Sequence, residues 1–377
     1  MRIAHIANFY GPTSGGLRTA MHALGSGYRG RGHEVLLVVP GDRDMVEDTP
    51  YGTRVTVRAP IIPSSGGYRV ILRASKVRKA LADFAPDVLE VSDRTTLRSL
   101  SAWATKRGIP SAFFAHERAD GILAANLPAW LQRLVSIEAM ADWHNRGTHK
   151  RFTTVVCTTE FARAEFTRAG LAAVKVPLGV DLERFHPRNA SAEARATVAT
   201  PEERLLLMAA RLSKEKRPEL AIDAVRVLTE RGERVRLVSA GTGNTADNMR
   251  ARAKDLPVTF LGFVTDGDYF AQLLASADVV VAPGPIETFG LAALEALASG
   301  TPAVVNAASA LPEVVADAGV AAGGTAEAFA DAISEVLARD PEARKASARS
   351  RAETMPWSAT VDLMLDLHTS QLAPLVP

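Results

Sequence analysis

A chain of 377 residues is longer than one ordinary hydrophobic core supports, so we expect two domains. Hydrophobic residues make up 47% of it and charged residues 23%, as in globular proteins, and no apolar run reaches the roughly 18 residues of a membrane-spanning helix. The single cysteine, Cys157, excludes an internal disulfide and indicates a buried structural thiol. The first residues enter a strand pattern without the features of a signal peptide, which predicts a cytoplasmic location.

Strand and helix patterns alternate in both halves of the chain. Strands are predicted at 3–7, 35–39, 55–57, 88–91, 111–115, 154–157, 205–209, 236–240, 258–261, 279–282 and 303–305. Helices are predicted at 17–28, 74–84, 97–107, 218–231, 267–275, 291–298 and 326–338. This alternation predicts an α/β fold with two Rossmann-like, doubly wound parallel sheets, joined by a linker near 181–201. Ligands of such sheets bind at the carboxyl ends of the strands, which favours a cleft between the domains.

The two halves differ in charge. Residues 1–190 carry 26 basic and 17 acidic side chains, whereas residues 191–377 carry 18 basic and 25 acidic ones. The basic half includes a partly amphipathic stretch at 68–79. It is either a solvated helix face or a surface for an anionic membrane or an acidic acceptor. A cytoplasmic protein associated with the inner face of the cell membrane is therefore an open alternative, and no nucleic-acid partner is expected.

The most informative motif is a pair of acids eight positions apart, Glu287 and Glu295. A buried strand ends before Pro283, and a helix is predicted from Leu291. Eight positions are a little over two helical turns, so both carboxylates point in roughly the same direction. The helix start beside Gly290 offers backbone N–H groups to an anion. Phosphate-binding N–H groups flanked by two acids suit a ligand with phosphates and hydroxyls, such as a sugar nucleotide.

Two further loops follow predicted strands and precede predicted helices. In the loop 210–218, Arg211 can grip a diphosphate with two parallel hydrogen bonds, and Lys216 adds a compact charge. The loop 11–19 contains Gly15 and Gly16, whose small size lets a ligand approach the backbone. Taken singly, the glycine loop could equally be a turn, and the basic loop is better explained as an exposed surface loop.

Polar residues also follow two strands of the first half. His116 lies after the apolar strand 111–115, and Asp93 holds the equivalent position after 88–91; each could contact a substrate or cap its loop. The other histidines have no spacing typical of a metal site. The stretch Gly241-Thr-Gly-Asn-Thr-Ala246 matches a dinucleotide fingerprint, but no acidic residue ends the next strand about 20 residues later, so we interpret it as a turn.

Together these motifs resemble the retaining glycosyltransferases of family 4, group 1 type, over nearly the full length. Gly15-Gly16 resembles the family's N-terminal glycine loop, and 176–181 its interdomain segment. Arg211 and Lys216 are similar to its basic pair, and the spacing from Glu287 to Glu295 to its paired-glutamate signature. The resemblance implies the GT-B fold of two facing Rossmann-like domains with an interdomain cleft. It also implies a C-terminal helix that crosses back, which gives domains of 1–187 plus 355–377 and 188–354.

The resemblance implies a donor site and catalytic residues. Arg211 and Lys216 would hold the diphosphate and stabilise the leaving group, which makes a metal unnecessary, while Gly16 would approach the distal phosphate. Glu295 would accept hydrogen bonds from the ribose. Three sets complete the prediction: Phe263 and Val264 at the nucleobase; Glu287, Phe289, Gly290, Leu291 and His116 at the donor sugar; and Asp93 and Arg118 on the acceptor side.

The resemblance implies transfer of mannose or glucose from a nucleotide sugar to a glycan or lipid-linked acceptor. GDP-mannose is favoured over UDP- and ADP-sugars, and no cofactor is expected. Two departures from the family pattern bear on the site: the stretch 307–315 lacks the usual glycines, and Arg217 stands where glycine often follows the lysine. The alternatives are a sugar-nucleotide epimerase on the same scaffold, a non-catalytic sugar-nucleotide or glycan-binding protein and, least favoured, a nicotinamide dehydrogenase.

Overall fold

The computed structural model describes residues 1–11, 15–62, 67–132 and 134–373. The chain forms two compact units, Met1–Leu178 with Trp357–Pro377, and Gly179–Pro356. The first boundary between the units, at 178/179, lies earlier than the predicted one at 187/188. Phe185 belongs to the second unit because its ring packs edge-on against Phe270 and its carbonyl accepts a hydrogen bond from Arg349 at 2.9 Å. No helix within the described ranges is long and apolar enough to cross a membrane.

The segment 181–201, where the sequence predicted the linker, has secondary structure of its own. It contains a 3₁₀ turn at Pro187–Asn189 and helix α8 at Ala192–Ala196, capped by the Ser191 side chain. Arg195 of α8 donates hydrogen bonds to the Ser276 carbonyl at 2.7 Å and to Asp278 at 2.9 Å. The sequence did not reveal α8 because five residues are too few to show a helical period.

The first unit is built on an eight-stranded sheet of order β3-β4-β2-β1-β5-β6-β7-β8. Its strands are β1 (Arg2–Ala7), β2 (Glu34–Gly41), β3 (Met45–Thr49), β4 (Gly52–Arg58), β5 (Val88–Ser92), β6 (Ser111–Ala115), β7 (Thr154–Cys157) and β8 (Val174–Lys175). Its helices are α1 (Gly16–Gly30), α2 (Ala74–Phe84), α3 (Leu100–Thr105), α4 (Ala119–Asn126), α5 (Ala129–Gln132), α6 (Ile137–His149), α7 (Glu160–Arg168) and α16 (Trp357–Leu372). Among these described strands, only β3 pairs in antiparallel fashion, with β4.

Helices cover both faces of this sheet, which explains why its central strands are apolar at nearly every position. On one face, Met21 and Leu24 of α1 and Val361 and Met364 of α16 pack against the strands. On the other face, α2, α3 and α7 contribute the apolar side chains. Cys157 lies in this second core, fully buried, and burial raises its pKa to about 12, so the expectation of a structural thiol is confirmed.

The second unit is built on a six-stranded parallel sheet of order β11-β10-β9-β12-β13-β14. Its strands are β9 (Arg204–Ala209), β10 (Val235–Ala240), β11 (Val258–Gly262), β12 (Val279–Ala282), β13 (Ala303–Asn306) and β14 (Gly319–Ala322). Besides α8, its helices are α9 (Pro218–Glu230), α10 (Ala246–Arg252), α11 (Gly267–Ser276), α12 (Leu291–Ala298), α13 (Leu311–Val315), α14 (Ala326–Ala338) and α15 (Pro341–Glu353).

The direction of strand addition reverses between β9 and β12 in this sheet. The chain builds outward from β9 through β10 to β11, then returns to the other side of β9 to lay down β12, β13 and β14. The connections after β9 and β12 therefore lead toward opposite edges of the sheet, which leaves a crevice at the carboxyl ends of these strands. Such a switch point is where doubly wound sheets bind ligands.

Candidate active site

The loops after β9 and β12 meet through one ion pair. The Lys216 ammonium, from a 3₁₀ turn near the end of the β9–α9 connection, donates a hydrogen bond to Glu287 Oε1. Both side chains are about a quarter exposed, at 24% and 23%. With Gly284, Gly290 and Ala209, they line a small cavity between the two loops. Three predicted site residues, Lys216, Glu287 and Gly290, thus lie together at the switch point.

The β12–α12 loop is held in shape by the neighbouring connection after β13. Asn306 donates to the Pro283 carbonyl at 2.9 Å, and the Ala310 N–H donates to the Glu287 carbonyl at 2.9 Å. Leu311 lies so close to Gly290 that a Cβ there would be 2.1 Å from its side chain. This loop is therefore built before any ligand arrives.

Gly290 caps the start of α12 in a left-handed conformation, with φ of 84°. Because an L-residue rarely adopts this conformation, and because Leu311 leaves no room for a side chain, glycine is required here on two grounds. The turn lets α12 begin at Leu291 with its first N–H groups turned toward the preceding loop. Phe289, only 4% exposed, anchors that loop in the core.

Glu295 lies within α12 in a poorly hydrated environment. Burial raises its pKa to about 7, although the nearby positive charge of Arg184 acts in the opposite direction. A carboxyl group with this pKa changes charge near neutral pH. A hydrogen-bond-donating ligand, such as a pair of ribose hydroxyls, would favour the ionised form.

The β9–α9 loop carries the second basic residue. The Arg211 side chain is half exposed and lies 3.4 Å from Glu215. Arg217, which follows Lys216, has φ of 49° and forms the N-terminal boundary of α9. The common glycine at this position of the family is thereby explained, since the backbone is left-handed there. The second departure from the family pattern, the absence of the usual glycines in 307–315, causes no backbone strain, because none of these residues has a positive φ.

The stretch 241–246 packs against the basic loop. A Cβ on Gly241 would be 1.9 Å from the Ala210 carbonyl oxygen, and one on Gly243 would be 2.2 Å from that of Leu212. Leu212 also exchanges backbone hydrogen bonds with Thr242 and Thr245, at 3.1 and 3.0 Å. These glycines thus admit the chain's own backbone rather than a dinucleotide, in keeping with the interpretation as a turn. Next to it, Phe263 follows β11 with 47% of its surface exposed, and Val264 is half-buried.

In the first unit, the glycine loop lies partly outside the described residues, at 12–14. Gly15 and Gly16 are exposed at the start of α1, with Gly15 as its N-cap. Asp93 is 4% exposed, and its two oxygens accept hydrogen bonds from the Thr95 hydroxyl and the Leu97 N–H, both at 2.8 Å. Its carboxylate therefore shapes the turn after β5.

Arg118 is similarly engaged. Its guanidinium contacts Asp120 with two nitrogens, donates to the Phe161 carbonyl at 3.1 Å and lies 4.4 Å from the centre of the Phe161 ring. The acceptor-side role of Asp93 and Arg118 stays a prediction, and each side chain has local contacts that a substrate would have to share.

His116 directly follows β6, in a setting that the sequence did not reveal. Its Nε2 lies 2.8 Å from the Ser92 hydroxyl, and burial lowers its pKa to about 3, so the ring is neutral at physiological pH. Ser92 is itself linked to the buried polar residues His5 and Glu90. The signal in the sequence was two ionisable residues inside otherwise apolar strand segments, at positions 5 and 90.

Comparisons with known proteins agree with this architecture. The model of glycosyltransferase family 4 matches residues 14–184, and the model of the glycosyl transferases group 1 matches residues 191–353. The chain is 46% identical over 368 residues to a GDP-mannose-dependent alpha-(1-6)-phosphatidylinositol dimannoside mannosyltransferase of Mycobacterium tuberculosis, covering 97% of this chain and 95% of that protein. It is also 34% identical, over about half its length, to D-inositol 3-phosphate glycosyltransferases such as that of Mycolicibacterium gilvum.

Solved structures share the fold at lower identity. Sucrose-phosphate synthase from Thermosynechococcus elongatus superimposes with a TM-score of 0.78 at 21% identity, over 99% of both chains. WaaG, a glycosyltransferase involved in lipopolysaccharide biosynthesis, gives 0.72 at 19% identity, over 97% of this chain and 99% of its own. Two Rossmann-like units with these neighbours define the GT-B fold. The chain belongs to glycosyltransferase family 4, so the predicted family, fold class and enzyme class are confirmed.

Proposed function

We propose that this chain is a retaining mannosyltransferase that uses GDP-mannose and elongates a mannosylated phosphatidylinositol. Similarity over 97% of the chain to a mycobacterial enzyme named for that donor and acceptor carries the proposal. The joined Lys216 and Glu287 at the switch point of the second sheet support it, since they combine a phosphate-binding cation with an acceptor for sugar hydroxyls.

In this proposal the second unit binds the donor. Arg211 and Lys216 hold the diphosphate and neutralise the charge that builds on departing GDP, which removes the need for a metal ion. Glu295 accepts hydrogen bonds from the ribose. Exposed Phe263, with Val264, contacts the base. The remaining contacts go to the mannose and come from Glu287 and from the backbone N–H groups of Phe289, Gly290 and Leu291.

The first unit supplies the remaining groups in this proposal. The backbone at Gly15 and Gly16 approaches the distal phosphate, and neutral His116 contacts the donor sugar. A neutral imidazole suits that role because it can accept or donate a hydrogen bond without adding a charge. The acceptor hydroxyl attacks from the face that GDP leaves, which retains the configuration of the mannose.

We further propose that a protein with a lipid-linked acceptor contacts the membrane from the cytoplasmic side. The basic stretch predicted from the sequence offers one surface: Arg73, Lys76 and Lys79 are exposed at the start of α2, whereas Val77 is buried. Helix α6 offers another, which combines an exposed tryptophan, Trp143 at 76%, with exposed cations, as interfacial helices do. Sedimentation with phosphatidylcholine vesicles, with and without phosphatidylinositol, tests this part; no binding to either contradicts it.

The proposed function is tested by thermal shift against GDP, UDP, ADP and NAD, followed by turnover. Ligand at about 100 times its dissociation constant adds roughly 2.7 kcal/mol of stability. Of these four ligands, only GDP should raise the melting temperature. Incubation with GDP-mannose and a phosphatidylinositol dimannoside should then yield a trimannoside. A shift with UDP or ADP but not with GDP would mean that the donor is a UDP- or ADP-sugar instead of GDP-mannose. Product from the donor sugar without acceptor would favour an epimerase, and tight sugar-nucleotide binding without any product would favour a binding protein.

A further inference from the structure

A chain of buried polar side chains runs through the core of the first unit and ends at His116. Glu90, with no exposed surface, lies 2.9 Å from His5 Nδ1. The opposite nitrogen, His5 Nε2, lies 2.7 Å from the Ser92 hydroxyl, and Ser92 lies 2.8 Å from His116 Nε2. The four residues therefore form one continuous series of close polar contacts, in which the two contacts of Ser92 are hydrogen bonds.

Strand register explains how they come together. His5 of β1 pairs directly with Glu90 of β5, and β5 in turn neighbours β6, which leads into His116. Residues two apart on a strand share a face, so Glu90 and Ser92 point to the same side of the sheet. Phe114, two residues before His116, stacks on both imidazoles, with ring centroids 5.7 Å from His5 and 5.5 Å from His116.

At the end of this polar series opposite His116, two helices supply hydrogen-bond partners to Glu90. Glu90 accepts a hydrogen bond from the Tyr28 hydroxyl of α1 at 2.7 Å and another from His368 of α16 at 2.8 Å. Burial alone would raise the pKa of Glu90, but the interactions with His5 and His368 outweigh it and hold that pKa well below its usual value. Glu90 is therefore an anion that accepts hydrogen bonds only.

An anion inside an apolar core is costly unless its partners satisfy it, and buried pairs seldom add net stability. The surrounding side chains are those of the main apolar core on this face, including Ile3, Ala7 and Phe114. Stability alone therefore does not account for four linked polar groups here. Their common end point is the side chain to which the proposed function assigns contact with the donor sugar.

We infer that Ser92 is a positioning residue, which orients the ring of His116 and decides which of its nitrogens carries the proton. The inference rests on the proposed role of His116. A serine hydroxyl has one proton, so it can donate to only one of the two imidazoles that flank it. Glu90 requires the proton of His5 on Nδ1. When this is the only ring proton of His5, its Nε2 accepts from Ser92, and Ser92 then accepts from His116 Nε2–H.

The consequence is a fixed tautomer of His116, protonated on Nε2, with the imidazole plane held by Ser92 and by stacking on Phe114. A hydrogen bond to a reacting sugar depends on both features, since a displaced or wrongly protonated ring presents the wrong atom. Misplacement of a contacting group by about 1 Å can cost about 100-fold in rate.

The test is nitrogen-15 NMR of histidine-labelled full-length chain, with the His116 signals assigned by their loss in His116→Gln. The unsubstituted chain should show His116 protonated on Nε2 and not on Nδ1. Ser92→Ala should give a mixture of tautomers and lower kcat about 10- to 100-fold, with GDP affinity unchanged. Ser92→Thr, which keeps the hydroxyl, should restore both the single tautomer and kcat.

Tyr28→Phe is the matched control, because it removes one buried hydroxyl from Glu90 on the side away from His116 and should change neither readout. Should Ser92→Ala fail to fold, His5→Gln tests the same link from the opposite side of Ser92, with the same expected loss. A single Nδ1–H tautomer in the unsubstituted chain, or an unchanged tautomer and kcat in Ser92→Ala, overturns the inference. Failure of the proposed function is distinguishable, since it abolishes turnover with GDP-mannose while the NMR readout remains.

Discussion

Lys216 donates a hydrogen bond to Glu287 across the switch point of the second sheet. The Glu287 carboxylate therefore binds the same ammonium group that we assign to the diphosphate. A phosphate that binds there must compete with Glu287 for the ammonium group. The same pairing keeps the half-buried lysine compensated when no donor is bound, and it fixes the two loops relative to each other.

Replacing Lys216 with Ala should lower kcat about 100- to 1,000-fold, because leaving-group charge is greatest in the transition state. Steady-state kinetics with the nucleotide-sugar donor measure this. Lys214, exposed on the same 3₁₀ turn, is the matched control, and Lys214→Ala should stay near the unsubstituted rate. Equal rates for the two variants would remove Lys216 from the mechanism.

Because Glu287 competes with phosphate for Lys216, we expect a Glu287 variant to bind GDP more tightly although its turnover falls. Glu287→Gln should tighten GDP binding several-fold, since it removes the competing negative charge, while kcat falls because the mannose loses a charged acceptor. Calorimetric titration with GDP gives the first quantity and turnover the second. Weaker GDP binding in this variant would mean that Glu287 assists the diphosphate instead of opposing it.

Glu295 should make nucleotide affinity depend on pH. Its pKa is raised to about 7, so the carboxyl is largely protonated at pH 6 and ionised at pH 8. Because ribose hydroxyls donate to the ionised form, GDP binding should tighten as pH rises through 7. Glu295→Gln should lose that component and keep only the dependence due to the phosphate itself. Titrations of both chains at several pH values measure the difference, and parallel curves would contradict the ribose assignment.

The same carboxyl should affect folding stability in the absence of ligand. Its folded pKa lies above the ordinary value of 4.5, so the folded state binds more protons than the unfolded state between those values. Its contribution to stability is therefore present at low pH and lost as pH rises through about 7. Denaturant unfolding between pH 5 and 8 should show this loss in the unsubstituted chain and not in Glu295→Gln.

Arg217 has a left-handed backbone, with φ of 49°, where glycine carries no penalty. Arg217→Gly should therefore raise the free energy of unfolding by up to about 1 kcal/mol. The partly exposed pair with Glu219 that it removes is worth little. Arg217→Val, which is bulkier at Cβ, should be destabilising. Denaturant midpoints give the comparison, and a loss of stability in the glycine variant would show that the pair with Glu219 outweighs the backbone strain.

Gly243→Ala should lower the free energy of unfolding by about 1–3 kcal/mol, because its Cβ would overlap the Leu212 carbonyl. It should also weaken GDP binding, since Leu212 adjoins Arg211 in the basic loop. Gly30→Ala is the control: it lies at the end of α1 with nothing within 4 Å of the added Cβ. If both substitutions are tolerated equally, the close packing of the two loops has no energetic consequence.

The sequence predicted the framework well because buried parallel strands and amphipathic helices leave strong periodic signals. The strands predicted at 154–157 and 279–282 coincide with β7 and β12. Short or exposed elements escaped: β8 has two residues, and β3 is partly exposed at an edge, so neither shows a clear apolar pattern. Helix α6 was missed because exposed Met140 and Trp143 disturb its amphipathic period.

The sequence likewise revealed some features of the candidate site and not others. Glu287 and Lys216 could be found because each lies in a loop directly after a strand. Their mutual hydrogen bond could not, since it depends on how two loops far apart in the chain turn toward each other. The partners of His116 were equally hidden: Ser92 and His5 are distant in sequence and become neighbours only through strand order.

The last helix of the chain has a consequence for synthesis on the ribosome. Helix α16 covers the face of the first sheet on which α1 lies, with Val361 so close to Gly27 that a Cβ there would be 2.3 Å away. His368 of the same helix satisfies buried Glu90. During translation, the second unit can therefore be completed while the first still exposes an apolar face and an unsatisfied carboxylate. The unit that emerges first therefore cannot bury this face until the last helix has been synthesised, and exposed apolar surface of this kind makes a nascent chain prone to aggregation.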